Sequence, residues 1–143
     1  MLNSVDFSGR PFHFLGIGGI GMSAIAHILA HRKLPVSGSD LKLSHITDRL
    51  TAMGAHVFSS QDAENLSYFH SGQLPQVVCS TAITTQNPEY AAALKLGCHI
   101  FHTLTLFSVK ILIIAVAQLP PPNTAIWVGR FFLNAGISVM LQR

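Results

Sequence analysis

A glycine-rich run, Gly16-Ile17-Gly18-Gly19-Ile20-Gly21, constrains the fold of this 143-residue chain more than any other feature. The apolar run from Phe12 to Leu15 before it suits a short buried strand. After it, apolar residues recur with the period of one helix face, at Met22, Ile25, Ala26 and Leu29. The glycines alone would be weak evidence, but a strand, a glycine turn and a helix in this order are typical of phosphate-binding units in α/β domains.

Each glycine of the turn has a separate predicted task. Gly16 permits the tight passage from strand to helix, Gly18 lets the backbone approach a diphosphate, and Gly21 lets the helix pack closely on the strand. The free N–H groups of the first helical turn then point at the anion, and the helix dipole adds to the attraction. The candidate diphosphate-binding residues are Gly16, Gly18, Gly19, Ile20, Gly21, Met22 and Ser23.

An acidic residue follows the second apolar run at the distance expected for a nucleotide site. Asp40 lies nineteen residues past Gly21, and an acid at this place usually accepts hydrogen bonds from ribose hydroxyls. The alternative is a tight turn that carries an exposed N-cap aspartate and binds nothing. Because the strand, the turn, the helix and the acid all agree, we favour the nucleotide site.

Apolar runs alternate with helix-period segments up to His102, which predicts βαβ units. The expected fold class is therefore α/β, with a Rossmann-like parallel sheet and helices on both faces. The predicted strands are about 12–15, 35–39, 56–58, 76–80 and 98–101.

Capping residues mark two further helices. Ser44 suits the N-cap of the second helix, and Gly54 suits its end. The third helix is marked at both ends: Asn87 suits its N-cap, Pro88 its first position, Glu89 the positive end of its dipole, and Gly97 its exit.

Charge and hydropathy exclude some classes of partner. Every acidic residue precedes His102, and the net charge of +3 comes from three sparse basic residues after it, so no basic face for nucleic acid is expected. The apolar stretch from Leu104 to Ala117 is about fourteen residues long and contains Lys110, which is too short for a membrane span. An apolar tail left without a sheet would favour self-association.

The cysteines and histidines predict no disulfide and no metal site. Cys79 and Cys98 each lie in an apolar run and are expected to be buried free thiols on strands. The N-terminus lacks the pattern of a signal peptide, so we expect a cytoplasmic protein. His27 and His31 share a helix face, but no Cys or carboxylate accompanies them at ligand spacing.

The residue sequence of the glycine turn resembles that of one family. The segment from His13 to Ser23 closely resembles the opening of the Mur ligases of peptidoglycan synthesis, in particular those that add L-alanine to UDP-N-acetylmuramate. Further stretches match in order and spacing: Val36 to Asp40, Leu50 to Ala55, Ser80 to Ile83, Asn87 to Glu89, and the strand that ends at His102.

This resemblance implies a nucleotide, a reaction and a site. The family is implied to be an ATP-dependent, amide-forming ligase, with an N-terminal UDP-binding domain and a central domain for ATP and magnesium. Carried over, the glycine turn would hold the UDP diphosphate, and Asp40 would lie near the ribose or base. The segment Ser80, Thr81 and Ala82 would line the other side of the crevice. Residues 1–102 are then the UDP-binding domain.

The resemblance weakens after His102. The family continues with an arginine and later with a phosphate loop, Gly-Thr-His-Gly-Lys-Thr-Thr, but this chain carries Pro120-Pro121-Pro122 near that place and no lysine after Lys110. Three prolines remove three N–H donors, so this segment cannot cradle ATP in the same way. We therefore interpret residues 103–143 as a divergent remnant of the central domain, and we expect neither catalytic residues nor a cofactor in this chain.

Two other functions stay open. One is an NAD(P)-binding oxidoreductase domain, which would use the same kind of turn, although no catalytic Lys, Tyr or His constellation supports it. The other is a non-enzymatic remnant that binds nothing well. Ligand titration would separate these alternatives from a UDP-N-acetylmuramate-binding module.

Overall fold

The computed structural model describes residues 5–70 and 72–103. Within them, five strands form one sheet, and their bounds are β1 Phe12–Leu15, β2 Val36–Ser39, β3 His56–Phe58, β4 Gln76–Cys79 and β5 Ile100–His102. The helices are α1 Ile20–His31, α2 His45–Ala52 and α3 Pro88–Leu96, with a 3₁₀ helix at Ala63–Ser67. These elements confirm the predicted α/β class.

The strand order is β3-β2-β1-β4-β5, and every pair in it is parallel. From β1 the chain runs through β2 to β3 on one side of the sheet, then crosses back to β4 on the other side of β1 and continues to β5. Since right-handed crossovers in opposite directions place their helices on opposite faces of a sheet, α1 and α3 cover different faces. The strand order reverses between β1 and β4, and ligands of such sheets bind in the crevice at that point, beyond the carboxyl ends of the strands.

The predicted apolar face of α1 is its buried face. Met22, Ile25, Ala26 and Leu29 are all buried. Every residue of β1 and of β4 is buried as well, as expected for central strands covered on both faces. The glycine turn therefore starts from a strand in the buried centre of the sheet.

The predicted helix caps are confirmed. The Ser44 side chain accepts a hydrogen bond from the Ile46 N–H at 3.3 Å, and Gly54 follows α2 with φ of +100°. The Asn87 side chain accepts from the Tyr90 N–H at 3.0 Å, and Gly97 ends α3 in the left-handed region, with φ of +76°.

Strand ends differ from the prediction by one or two residues. The last strand begins at Ile100 and not at Cys98, because the Cys98 N–H donates to Ala93 O at 3.0 Å and so belongs to the exit of α3. Cys79 lies on β4 as predicted, and both thiols are buried and free. The 3₁₀ helix Ala63–Ser67 was not predicted.

Several predictions concern residues after Thr103, which lie outside the described residues. They are the strand near 111–117, the proline segment, the remnant at 103–143 and self-association through the tail. In the described part of the chain, no helix is long and apolar enough to cross a membrane.

Candidate nucleotide-binding site

The glycine turn is anchored to the end of β2. The N–H groups of Gly16 and Ile17 both donate to the carbonyl oxygen of Ser39, at 2.8 and 2.9 Å. Gly16 has φ of +79°, a conformation that side chains rarely adopt, which confirms its predicted role in the tight turn. Two hydrogen bonds to one carbonyl therefore set the path of the chain from β1 into α1.

The first turn of α1 offers N–H groups to an anion. Gly19 is the N-cap and contributes no side chain to cap them. The first N–H groups of a helix have no partner within the helix. Ser23 was predicted among these donors, but its N–H donates to Gly19 O at 2.8 Å, because this is the first hydrogen bond of the helix. The donors that remain are those of Ile20, Gly21 and Met22.

Asp40 lies against the turn and occupies one of its donors. Its Oδ2 accepts the Gly18 N–H at 2.8 Å, and its Oδ1 accepts the Lys42 N–H at 2.9 Å. The space at Gly18 was predicted to admit a diphosphate, but a Cβ there would lie 2.7 Å from Asp40 Oδ2. In this structure Gly18 therefore makes room for a carboxylate of the protein itself.

A glycine that the sequence reasoning did not single out gives the closest packing. A Cβ on Gly38 of β2 would lie 2.7 Å from Phe14 O and 2.8 Å from Ile17 Cβ. Its register partner is Phe14 on β1. A glycine inside a short strand is the available signal, since it often marks a close approach of backbone.

The segment after β4 lies next to the end of β1, on the side away from β2. Ser80 directly follows β4 and is half-buried, while Thr81 and Ala82 are exposed. The Ile83 N–H donates to Ser80 O at 3.2 Å and closes a turn. Since β1 and β4 are neighbours, this turn and the glycine turn flank the same crevice.

A buried histidine–carboxylate hydrogen bond lies among the strands and α3. His13 Nε2 is 2.6 Å from Glu89 Oε1, and both side chains are fully buried. His13 Nδ1 is 2.7 Å from Ser37 Oγ, so a ring that donates from Nε2 and accepts at Nδ1 satisfies both contacts. Glu89 was predicted to complement the dipole of α3, but its main contacts are with the sheet, which sequence reasoning missed.

Two more side chains complete the shell of the Glu89 carboxylate. The Ser39 hydroxyl donates to Glu89 Oε2 at 2.5 Å, and the Asn65 amide donates to Glu89 Oε1 at 2.9 Å. The same Asn65 amide is 2.9 Å from Ser60 O, in the segment that follows β3. One buried carboxylate thus joins β1, β2, α3 and the segment after β3.

The histidine pair on α1 forms no metal site with its surroundings. Over residues 5–70 and 72–103, no three His, Cys, Asp or Glu side chains are grouped as a metal ion would require. His27 is half-buried, and this burial, followed by the nearby His31 and Arg49, lowers its pKa.

Comparison with known proteins identifies one family. The family model "Mur ligase family, catalytic domain" matches residues 11–109. A UDP-N-acetylmuramate–L-alanine ligase of Nostoc punctiforme is 49% identical over 155 aligned positions, which cover 96% of this chain and 32% of that protein. The ligase of the same name from a Cyanothece species is 59% identical over 111 residues, 78% of this chain and 23% of that protein. The chain thus spans less than a third of the length of these relatives.

Solved structures of similar proteins agree. A UDP-N-acetylmuramate–alanine ligase from Thermotoga maritima has a TM-score of 0.60 at 31% identity, covering 68% of this chain and 21% of that one. A UDP-N-acetylmuramate:L-alanyl-γ-D-glutamyl-meso-diaminopimelate ligase from Neisseria meningitides has a TM-score of 0.63 at 26% identity, covering 73% and 32%.

Proposed function

The chain belongs to the Mur ligase family, and we propose that its N-terminal part, residues 1–102, binds the UDP portion of UDP-N-acetylmuramate. The main support is the position of the glycine turn. It leads into α1 at the point between β1 and β4 where the strand order reverses. Sheets of this kind bind nucleotides there. The names of the relatives supply the nucleotide.

The diphosphate would bind at the N-terminus of α1. Three N–H groups without helical partners, those of Ile20, Gly21 and Met22, converge with the positive end of the helix dipole on this place. Gly19 and Ile20 are exposed, so the approach from solvent is open. Gly16 and Gly18 contribute by shaping the turn, and the Ser23 hydroxyl lies at the edge of the site.

Asp40 would receive the ribose. Its two oxygens each accept one backbone N–H, and a carboxylate oxygen has a second acceptor position for a ribose hydroxyl. The side chain is half-buried and therefore reachable. The turn of Ser80, Thr81 and Ala82 would form the opposite wall of the crevice.

The ligase reaction of the family is a proposal for a longer protein. ATP and Mg²⁺ would need a phosphate loop with a lysine, and the proline segment 120–122 does not fit that role. We therefore propose that this chain binds the nucleotide without catalysing the ligation. From the same family resemblance we also propose a cytoplasmic location.

Calorimetric titration of the full chain with UDP-N-acetylmuramate, UDP and NAD⁺ tests the proposal. We expect both uridine nucleotides to bind and NAD⁺ not to bind. A variant Gly19→Val would place a side chain at the helix N-terminus, at an ordinary φ of −62°, and should abolish binding. Ala52→Val, at the exposed end of α2, is the matched control and should bind like the parent. Binding of NAD⁺ alone, or of neither class, would overturn the proposal.

A further inference from the structure

We propose that Glu89 is a positioning residue for the phosphate-binding turn and that it acts through Ser39. The inference rests on the proposed UDP site and adds a residue that never touches the ligand. Glu89 is completely buried, in the first turn of α3, and three side chains donate hydrogen bonds to it.

Ser39 links the carboxylate to the turn. Its hydroxyl donates to Glu89 Oε2 at 2.5 Å, while its carbonyl oxygen accepts the N–H groups of Gly16 and Ile17. One residue therefore carries both the contact with Glu89 and the two hydrogen bonds that set the path of the glycine turn. A shift of Ser39 would move the N-terminus of α1, where the donors for the diphosphate lie.

The carboxylate also connects the two walls of the crevice. Glu89 follows Ser80, Thr81 and Ala82 by one short loop and lies at the start of α3. Its partner His13 is on β1, three residues before Gly16. The distance between the glycine turn and the turn after β4 is thus set in part by a buried, hydrogen-bonded contact beneath them.

A buried carboxylate is costly to keep unless it is well satisfied, and a purely structural core position would be filled equally well by an apolar side chain. All buried side-chain nitrogen and oxygen atoms in the described residues have hydrogen-bond partners, and the three partners of Glu89 lie on β1, on β2 and in the 3₁₀ helix Ala63–Ser67. This arrangement fixes the relative positions of backbone segments, which apolar packing specifies less sharply.

The experiment measures UDP affinity in the full chain, well below its unfolding temperature, for the variant Ser39→Ala. It removes the link to Glu89 and leaves the Ser39 carbonyl in place. We expect a three- to tenfold weaker affinity, roughly the effect of one buried hydrogen bond. Ser37→Ala is the matched control, because Ser37 is buried on the same strand and contacts the same network through His13, but does not anchor the turn. It should bind UDP within about twofold of the parent.

A double-mutant cycle tests whether Glu89 acts through Ser39. Glu89→Gln keeps the shape and removes the charge, and we expect it to weaken UDP binding in the same range as Ser39→Ala. The double variant should bind UDP no more weakly than the single variant with the lower affinity, because both changes break the same Glu89–Ser39 contact. Additive losses, or a Ser39→Ala variant that binds like the parent or like Ser37→Ala, would overturn this inference alone. A parent chain that binds no UDP would overturn the proposed function and this inference with it.

Discussion

Asp40 Oδ2 accepts a hydrogen bond from the Gly18 N–H at 2.8 Å, which places a carboxylate of the protein directly on the glycine turn. A Cβ at Gly18 would come within 2.7 Å of the same oxygen. The glycine thus leaves room for a side chain of the protein itself, before any ligand arrives. Asp40 holds the turn in shape and remains at the edge of the proposed diphosphate site.

A methyl group at Gly18 should therefore destabilise the fold. In Gly18→Ala the carboxylate must move away and lose its charge-assisted hydrogen bond, which corresponds to about 1–3 kcal/mol of unfolding free energy. Urea unfolding of the full chain measures this loss. Adding Asp40→Ala to Gly18→Ala should remove the steric conflict, so the double variant should lose less than the sum of the single changes. Equal stability of Gly18→Ala and the parent would contradict this account.

Gly38→Ala should be at least as damaging, because the added methyl group would press on backbone. It would meet Phe14 O at 2.7 Å and displace Ile17, the second residue of the glycine turn. Overpacking of this kind costs about 1–3 kcal/mol, and the displaced turn should also bind UDP more weakly. Ala52→Val is the control for stability, since it adds methyl groups at the exposed end of α2. If chemical denaturation gives both variants the same midpoint, the close approach at Gly38 is not important.

The free energy of unfolding should fall at high pH because of the buried Cys79 thiol. Burial raises the pKa of Cys79 from 9.0 to about 11, so the folded state disfavours the thiolate that the unfolded chain can form. The stabilisation is complete below pH 9 and is lost as the pH rises towards 11, by up to about 2–3 kcal/mol.

The comparison of parent and Cys79→Ala isolates this effect from other groups that titrate in the same range. The variant should show a flatter decline of unfolding free energy between pH 9 and 11. Burial also raises the pKa of Cys98. At neutral pH both thiols should therefore react slowly with a thiol reagent until the chain unfolds. Rapid labelling of either thiol in the folded chain would contradict this prediction.

Because of its proline segment, the full chain should not catalyse the addition of L-alanine to UDP-N-acetylmuramate. Without a lysine or a run of N–H donors near Pro120, we expect no ATP-dependent, alanine-dependent release of phosphate. The assay uses UDP-N-acetylmuramate, L-alanine and Mg-ATP, with a complete L-alanine-adding ligase as the positive control. Phosphate release above the background without alanine would show that this expectation is wrong.

Local signals predicted the parts of the fold that depend on neighbouring residues. The glycine turn, the Ser44 and Asn87 caps and the left-handed Gly97 each involve residues within a few positions of one another. The strand that begins at Ile100 was misplaced, because the apolar run does not show that Cys98 still bonds to α3.

The buried polar contacts could not be predicted in the same way. His13 and Glu89 are 76 residues apart, and only the parallel pairing of β1 with its neighbours brings them together. Glu89 looked like an ordinary acid in the first turn of a helix. The pairing of Asp40 with Gly18 was missed for a related reason, since the family pattern suggests a ligand for each of them and not a contact between them.

The first turn of α1 should bind the diphosphate of a uridine nucleotide. The most direct measurement is a titration of the ¹⁵N-labelled full chain with UDP, followed by the chemical shifts of the backbone amides. We predict saturable changes that are largest at Ile20, Gly21 and Met22, and much smaller changes there with uridine, which lacks the diphosphate. Changes confined to other parts of the chain, equal changes with uridine, or none at all would contradict the account.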